Sequence, residues 1–163
     1  MTMSIRGLKL ETTLQDPSVL RIGIIKTKWN VNVVDALVEG CVDALKAAGV
    51  QSIIVEEVGG AFELPLAASV MAKSGLYDAI VPIGCLIKGE TMHFEYISSA
   101  SVDGLMRVSL DTGVPVLNGI LNVLNEDQAR ARAGLIGSHG NEGIGWAKTA
   151  LQQICVIQTY RGL

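Results

Sequence analysis

His93, one of only two histidines in the chain, closes the run Gly84-Cys85-Leu86-Ile87-Lys88-Gly89-Glu90-Thr91-Met92-His93. An apolar segment ends inside this run and a helical pattern begins near Thr91. A strand-to-helix junction points backbone N–H groups and the positive end of a helix dipole at one spot, which suits an anion. An imidazole beside it gains or loses a proton near neutral pH. An anion site next to a proton shuttle fits chemistry on a small phosphorylated substrate. The plain alternative is a solvated, idle imidazole in a first helical turn, and the neighbouring residues favour function over it.

The surrounding elements explain how such a junction could be built. Arg21 to Lys26 reads as a buried strand, and Val34, Leu37, Val38, Cys41, Val42 and Leu45 then recur at helical spacing up to Gly49. Ser52 to Val58 is a second strand, broken by Gly59-Gly60, with a helix expected over Glu63 to Lys73. Tyr77 to Gly84 is the third strand, followed by a long helix from Thr91 to about Leu110. Val114 to Leu121 is the fourth. Asn125 reads as an N-cap, with Gln128 three residues on as in a capping box, and that helix stops at Gly134. A Gly-rich segment around His139 leads to a last helix over Ile144 to Gln158. Nearly all-apolar strands alternating with helices argue a parallel sheet covered on both faces. In such sheets ligands bind beyond the carboxyl ends of the strands. Three of those ends carry unusual residues: Lys28-Trp29-Asn30, Gly59 to Glu63, and Lys88 to His93.

The 163 residues fit one domain, expected to span 1–163 with a flexible stretch over 1–18. A chain this size buries about 70% of its unfolded surface. Hydrophobic residues make up 49% and aromatics 4%, so the core is built from Val, Ile, Leu and Ala. A net charge of −3 with no basic face argues against nucleic acid. The apolar runs are strand-sized, and Met1 to Leu20 has no apolar core of a signal peptide. Cys41, Cys85 and Cys155 form neither a metal motif nor a disulfide framework, which fits buried thiols in a reducing cytosol.

Each candidate has a bland reading. Trp29 could be a packing residue, but at a ligand-side loop its flat ring suits stacking. Glu63 could simply answer the helix dipole, while Gly59-Gly60 lets backbone approach a ligand. Glu90 must turn its side chain away if the Glu90 and Thr91 amides bind an anion, and Thr91 could be no more than a cap. Arg130 and Arg132 read as solvated, with nothing in the residues to choose between them. His139 reads as surface.

The runs RIGIIKTKWN, GGAFELPLAA, YDAIVPIGCLIKGETMHFEYIS, TGVPVLNGIL and NEDQARARAG, in this order, resemble the lumazine synthase family from Arg21 to about Leu151. IKGETMHFEYIS is the most specific of them, and Trp at 29 resembles the fungal branch. The resemblance implies a three-layer α/β/α fold with a four-stranded parallel, flavodoxin-like sheet, whose N-terminal segment, near Val19 and Leu20, adds to a neighbouring subunit. It implies a transferase of riboflavin biosynthesis that condenses 5-amino-6-(D-ribitylamino)uracil with 3,4-dihydroxy-2-butanone 4-phosphate. The products are 6,7-dimethyl-8-ribityllumazine, phosphate and water. No metal or organic cofactor is implied, and a cytoplasmic homopentamer with sites between subunits is expected.

The implied roles fall residue by residue. Trp29 would stack on the pyrimidinedione and Asn30 would contact its polar edge. Gly60, Ala61, Phe62 and Glu63 would hold the ribityl side. Leu86, Ile87 and Lys88 would frame the heterocycle. The Glu90 and Thr91 amides, with Arg132 from a neighbour, would take the phosphate, and His93 would move protons. The chain departs from the family pattern at Gly59 (usually Pro), Asn118 (often a Phe covering the ligand), Asn122 (commonly Thr) and the segment 135–145. Those departures keep a second expectation in view, a catalytically weak riboflavin- or lumazine-binding protein on the same scaffold. The lack of the short bacterial linker favours a free pentamer over a sixty-subunit shell.

Overall fold

The computed structural model describes residues 16–161. Most of the segment expected to be flexible and to reach a neighbour lies outside the described residues. Of it, Asp16 caps a single 3-10 turn, Pro17–Val19, through a 2.9 Å bond from Ser18 N, and the Ser18 side chain first, then its backbone N–H, lowers the Asp16 pKa.

Four parallel strands carry the fold: β1 (Arg21–Thr27), β2 (Ser52–Val58), β3 (Ala79–Ile87) and β4 (Gly119–Val123), in the order β2-β1-β3-β4. Helices α1 (Val31–Ala47) and α5 (Glu142–Arg161) cover one face, together with the short α4 (Glu126–Arg132). Helices α2 (Leu64–Lys73) and α3 (His93–Thr112) cover the other. Two apolar cores follow. Ile22, Ile24, Val81 and Ile83 meet Leu37, Cys41, Leu45 and Ile154 on the first face. Ile25, Ile80 and Ile120 meet Leu64, Ala68 and Leu105 on the second. Each fully buried Leu or Ile contributes about 1.5–3 kcal/mol. The three thiols are buried, and burial pushes Cys41 up to about 12 and Cys85 up to about 11.

Three expectations need correction. β3 runs on to Ile87 instead of ending at Gly84, pairing with β4 from Ile83↔Gly119 to Ile87↔Val123. Gly84 is there for space, since a Cβ would sit 3.3 Å from Thr27 Cγ2 and 3.4 Å from Leu64 Cδ1. β4 begins at Gly119, not Val114. Pro115 has no N–H to give, and Ser109 Oγ holds the preceding stretch by donating to Val114 O (3.0 Å) and accepting from Val116 N (3.2 Å). β2 is not covered on both faces. As an edge strand it leaves Ile54 and Val55 each 43% exposed.

The Gly-rich segment before α5 is organised by Asn141. Its Nδ2 donates to Ala36 O (2.8 Å) and Ala133 O (3.1 Å), and its Oδ1 accepts from Gly143 N (2.8 Å). One amide thus joins α1, the end of α4 and the start of α5. Gly40 and Gly143 make room, because a Cβ on either would fall 2.6 Å from the Asn141 amide or 2.0 Å from Leu37 O. The Asn125 cap forms as expected, accepting from Gln128 N at 2.9 Å, but Gln128 Oε1 reaches back to Leu124 N, one residue before the cap. Asn141→Ala should cost about 2–3 kcal/mol, because it strands two part-buried carbonyls and an N–H. Urea unfolding midpoints compared at constant m-value measure this.

Candidate active site

Because all four strands are parallel, the turns after β1, β2 and β3 emerge on the same edge of the sheet. Between them lies a cavity of about 530 Å³ lined by Trp29, Asn30, Gly60, Ala61, Phe62, Glu63, Cys85, Leu86, Ile87, His93 and Ile97. Most of the residues singled out in the sequence therefore meet in one place. Lys88, Glu90 and Thr91 continue the same loop from Ile87 to His93 without lining the cavity.

Trp29 is 73% exposed, so it is no packing residue; its ring stands at the cavity wall. The next residue fixes it there. Asn30 has φ 54° and ψ 46°, the only non-glycine with positive φ among the described residues. Asparagine tolerates this left-handed conformation better than most residues. Its backbone O accepts from Val33 N and Val34 N, starting α1, and its Nδ2 donates 2.9 Å to Cys85 O.

On the β2 side, Gly60 and Glu63 form a closed turn. Glu63 Oε2 accepts from Gly60 N at 2.9 Å. A Cβ on Gly60 would sit 3.3 Å from that oxygen and 3.5 Å from Trp29 Cδ1, so glycine lets carboxylate and indole approach. Glu63 thus combines its expected first-turn position with a specific bond through Oε2. Gly59 is different. A Cβ there would meet only Glu63 Oε2, at 3.7 Å, and its backbone is not left-handed.

The third loop leads from β3 into α3. α3 begins at His93 itself, two residues later than expected, and His93 N bonds Thr91 Oγ1 at 3.4 Å. Among the described residues no acceptor engages the amides of Gly89, Glu90, Thr91 or Met92, which precede a 20-residue helix. Lys88 pairs with Glu95 and lies 5.7 Å from the Phe94 ring centroid. Below the site, Lys26 bonds Asp35 at 2.8 Å, which holds its pKa above the ordinary lysine range.

Besides Lys88, Glu90 and Thr91, two more expected residues, Arg132 and Asn118, do not line the cavity. Arg132 is half-buried on α4, where Nη1 donates to Gln128 O at 3.3 Å within its own helix. Asn118 is exposed before β4, with Oδ1 accepting from Ile120 N at 3.3 Å. Conversely, Cys85 and Ile97 line the cavity unforeseen. Ile97 is one helical turn beyond His93, a spacing that places both on one face. Cys85 was hidden by ending β3 at Gly84, three residues before its observed end at Ile87. No group of three or more His, Cys, Asp or Glu side chains that could hold a metal occurs among the described residues. Nor is any helix there long and apolar enough to cross a membrane.

The fold is a flavodoxin-like parallel α/β sheet whose strand ends gather an exposed tryptophan, a carboxylate and a histidine around one cavity. The family model described as 6,7-dimethyl-8-ribityllumazine synthase matches residues 19–158. A protein of that name from Schizosaccharomyces pombe is 48% identical over 136 residues, covering 82% of this chain and 85% of its own. One from Xanthomonas euvesicatoria pv. vesicatoria is 43% identical over 144 residues, covering 87% and 92%. One from Pyricularia oryzae is 39% identical, covering 84% and 88%. The chain belongs to the lumazine synthase family, transferases of riboflavin biosynthesis.

Gly59→Ala should raise stability by about 0.4–1 kcal/mol, since the site accepts a Cβ and alanine narrows the unfolded ensemble. A thermal melt showing a lower midpoint would contradict the free space described at that turn.

Proposed function

We propose that this cavity is where the aminopyrimidine and the butanone phosphate meet, with the roles that follow. The convergence of Trp29, Glu63 and His93 on one cavity carries the reading. The pyrimidinedione stacks on Trp29, and Asn30 Oδ1 and the end of β3 at Leu86 and Ile87 frame its edges. The ribityl chain runs along Gly60, Ala61 and Phe62 to the Glu63 carboxylate. The phosphate sits at the free Glu90 and Thr91 amides. The 5-amino nitrogen attacks the ketone carbon. His93 carries protons as the carbinolamine loses water to give the imine, and again as the C–O bond to phosphate breaks. Ring closure of the ribityl-bearing nitrogen onto the second carbonyl expels another water. Holding both molecules in reacting geometry supplies most of the rate, with acid–base help of about 10²–10⁴-fold.

Oligomeric assembly belongs to the family, and we assign this chain to a cytoplasmic homopentamer. Leu66, Val70, Met106 and Leu110 form an exposed apolar face on α2 and α3, with Leu66 at 73% and Leu110 at 76% exposure. Such a face calls for a covering partner. A neighbour would bring Arg132 to the phosphate, with its forked donors, and Asn118 to the ligand's open side. The open edge of β2 would receive a neighbour's N-terminal segment. Riboflavin, carrying the same ribityl chain and a larger ring, fits the cavity as a ligand.

The test is formation of the fluorescent lumazine from both substrates above the uncatalysed background. His93→Ala should lower kcat by about 10²-fold. Arg132→Ala should mainly raise KM for the phosphorylated substrate, and phosphate dependence left intact would remove Arg132 from the site. Riboflavin titration should quench Trp29 fluorescence, judged against Trp29→Phe; equal quenching in that variant places the flavin elsewhere.

A further inference from the structure

The loop that offers the free amides has little to hold it in shape. Every residue from Lys88 to Met92 is exposed. Gly89 has nothing beyond its chain neighbours within 4 Å of where a Cβ would stand. At one end, Lys88 N donates to Val123 O at 2.9 Å; at the other, Tyr96 N donates to Met92 O at 3.3 Å. Between these anchors the backbone must stay unbonded if its amides are to serve an anion. Order has to come from side chains.

One side-chain connection spans the loop. The Lys88 ammonium, just before it, pairs with the Glu95 carboxylate in the first turn of α3 and lies over the Phe94 ring. The other carboxylate oxygen, Glu95 Oε2, is buried and has no hydrogen-bond partner. A buried, unsatisfied carboxylate oxygen is costly. A residue retained at such a cost beside a functional loop points to a role there.

We infer that Glu95 is a positioning residue: through Lys88 it clasps the 88–92 loop in the shape that presents its amides to the substrate phosphate. This rests on reading that loop as the phosphate site. Glu95 itself touches no substrate. The Lys88 ammonium, held between Glu95 and Phe94, is a tether for the loop and not the counter-charge of the phosphate. The geometry therefore separates the two basic groups near the anion by task.

Glu95→Gln keeps the side-chain shape and removes its charge. In the assembled wild-type enzyme, inorganic phosphate should compete with the butanone phosphate. In Glu95→Gln, KM for that substrate and Ki for inorganic phosphate should rise together by about tenfold, with kcat within about twofold. KM for the aminopyrimidine should stay put. Lys88→Met should reproduce the shift, the double variant should be no worse than either single, and Lys88→Arg should keep phosphate affinity near wild type. If phosphate inhibits wild type and Glu95→Gln equally, the positioning role is wrong. Additive effects of the two substitutions, or equal losses for both substrates, also overturn it. Absence of phosphate competition in wild type would instead sink the phosphate-site reading. Should Glu95→Gln fail to fold, Lys88→Met and Lys88→Arg decide the matter by the same Ki comparison.

Discussion

The parallel pairing of β1 with β3 is the constraint on which the site depends. It brings the turn after β1 and the end of β3 out on the same edge, with Lys26 opposite Ile83 as the last paired residues. β3 then runs four residues past that last pair, continuing to Ile87 against β4. A carbonyl beyond the end of β1 loses its ladder partner there. Asn30 Nδ2 takes the place of that partner by donating to Cys85 O. The left-handed Asn30 thus does two things at once: it turns the chain from β1 into α1, and it ties the Trp29 wall to the floor of the cavity. A different strand order would leave the same residues in sequence but scatter them in space.

The second constraint is incompleteness. The cavity is lined by Trp29, Glu63 and His93, yet Arg132 and Asn118 lie away from it. The exposed face of α2 and α3 and the bare edge of β2 are also features a solitary domain would not keep. These observations have one economical explanation, a neighbouring copy. Burial of the apolar face would supply free energy for such an assembly. Water excluded from the mouth of the cavity would strengthen the charge interactions within it.

Much of the fold was legible because its signals are local. The β-branched runs of β1 and β2 and the Asn125 cap need only a few residues to be recognised. The boundaries of β3 and β4 were not legible, since both depend on tertiary facts. Gly84 looks like a strand breaker and is a space-maker against Thr27 and Leu64. Pro115 sits near the expected strand start, yet that stretch meets β3 only through a bridge at Ile80↔Val116, with Ser109 of α3 bonded to Val114 O and Val116 N, and the strand proper begins at Gly119. At the site, chemistry-bearing residues such as His93, Glu63 and Trp29 stood out by type and position. Cys85 and Ile97 did not, because they are ordinary core residues whose placement only the fold decides. Asn141 was hidden for the opposite reason, as one polar residue in a Gly-rich run whose three partners include Ala36, far away in sequence.

The division of labour among the three loops follows from how each is held. The Trp29–Asn30 turn is locked by backbone conformation and a bond to β3, so the aromatic wall is rigid before substrate arrives. The Gly60–Glu63 turn is closed by one carboxylate oxygen, so the group that would receive the ribityl chain is oriented by its own fold. The 88–92 loop leaves its amides unbonded, and its order depends on a clasp between side chains. If the ring is recognised at Trp29 and the 88–92 loop takes the phosphate, as proposed, a rigid wall beside a lightly tethered loop would suit a reaction in which phosphate is first gripped and then released as a leaving group. A loop fixed entirely by backbone bonds could not offer those same amides, and one with no tether would lose much of its binding energy to ordering.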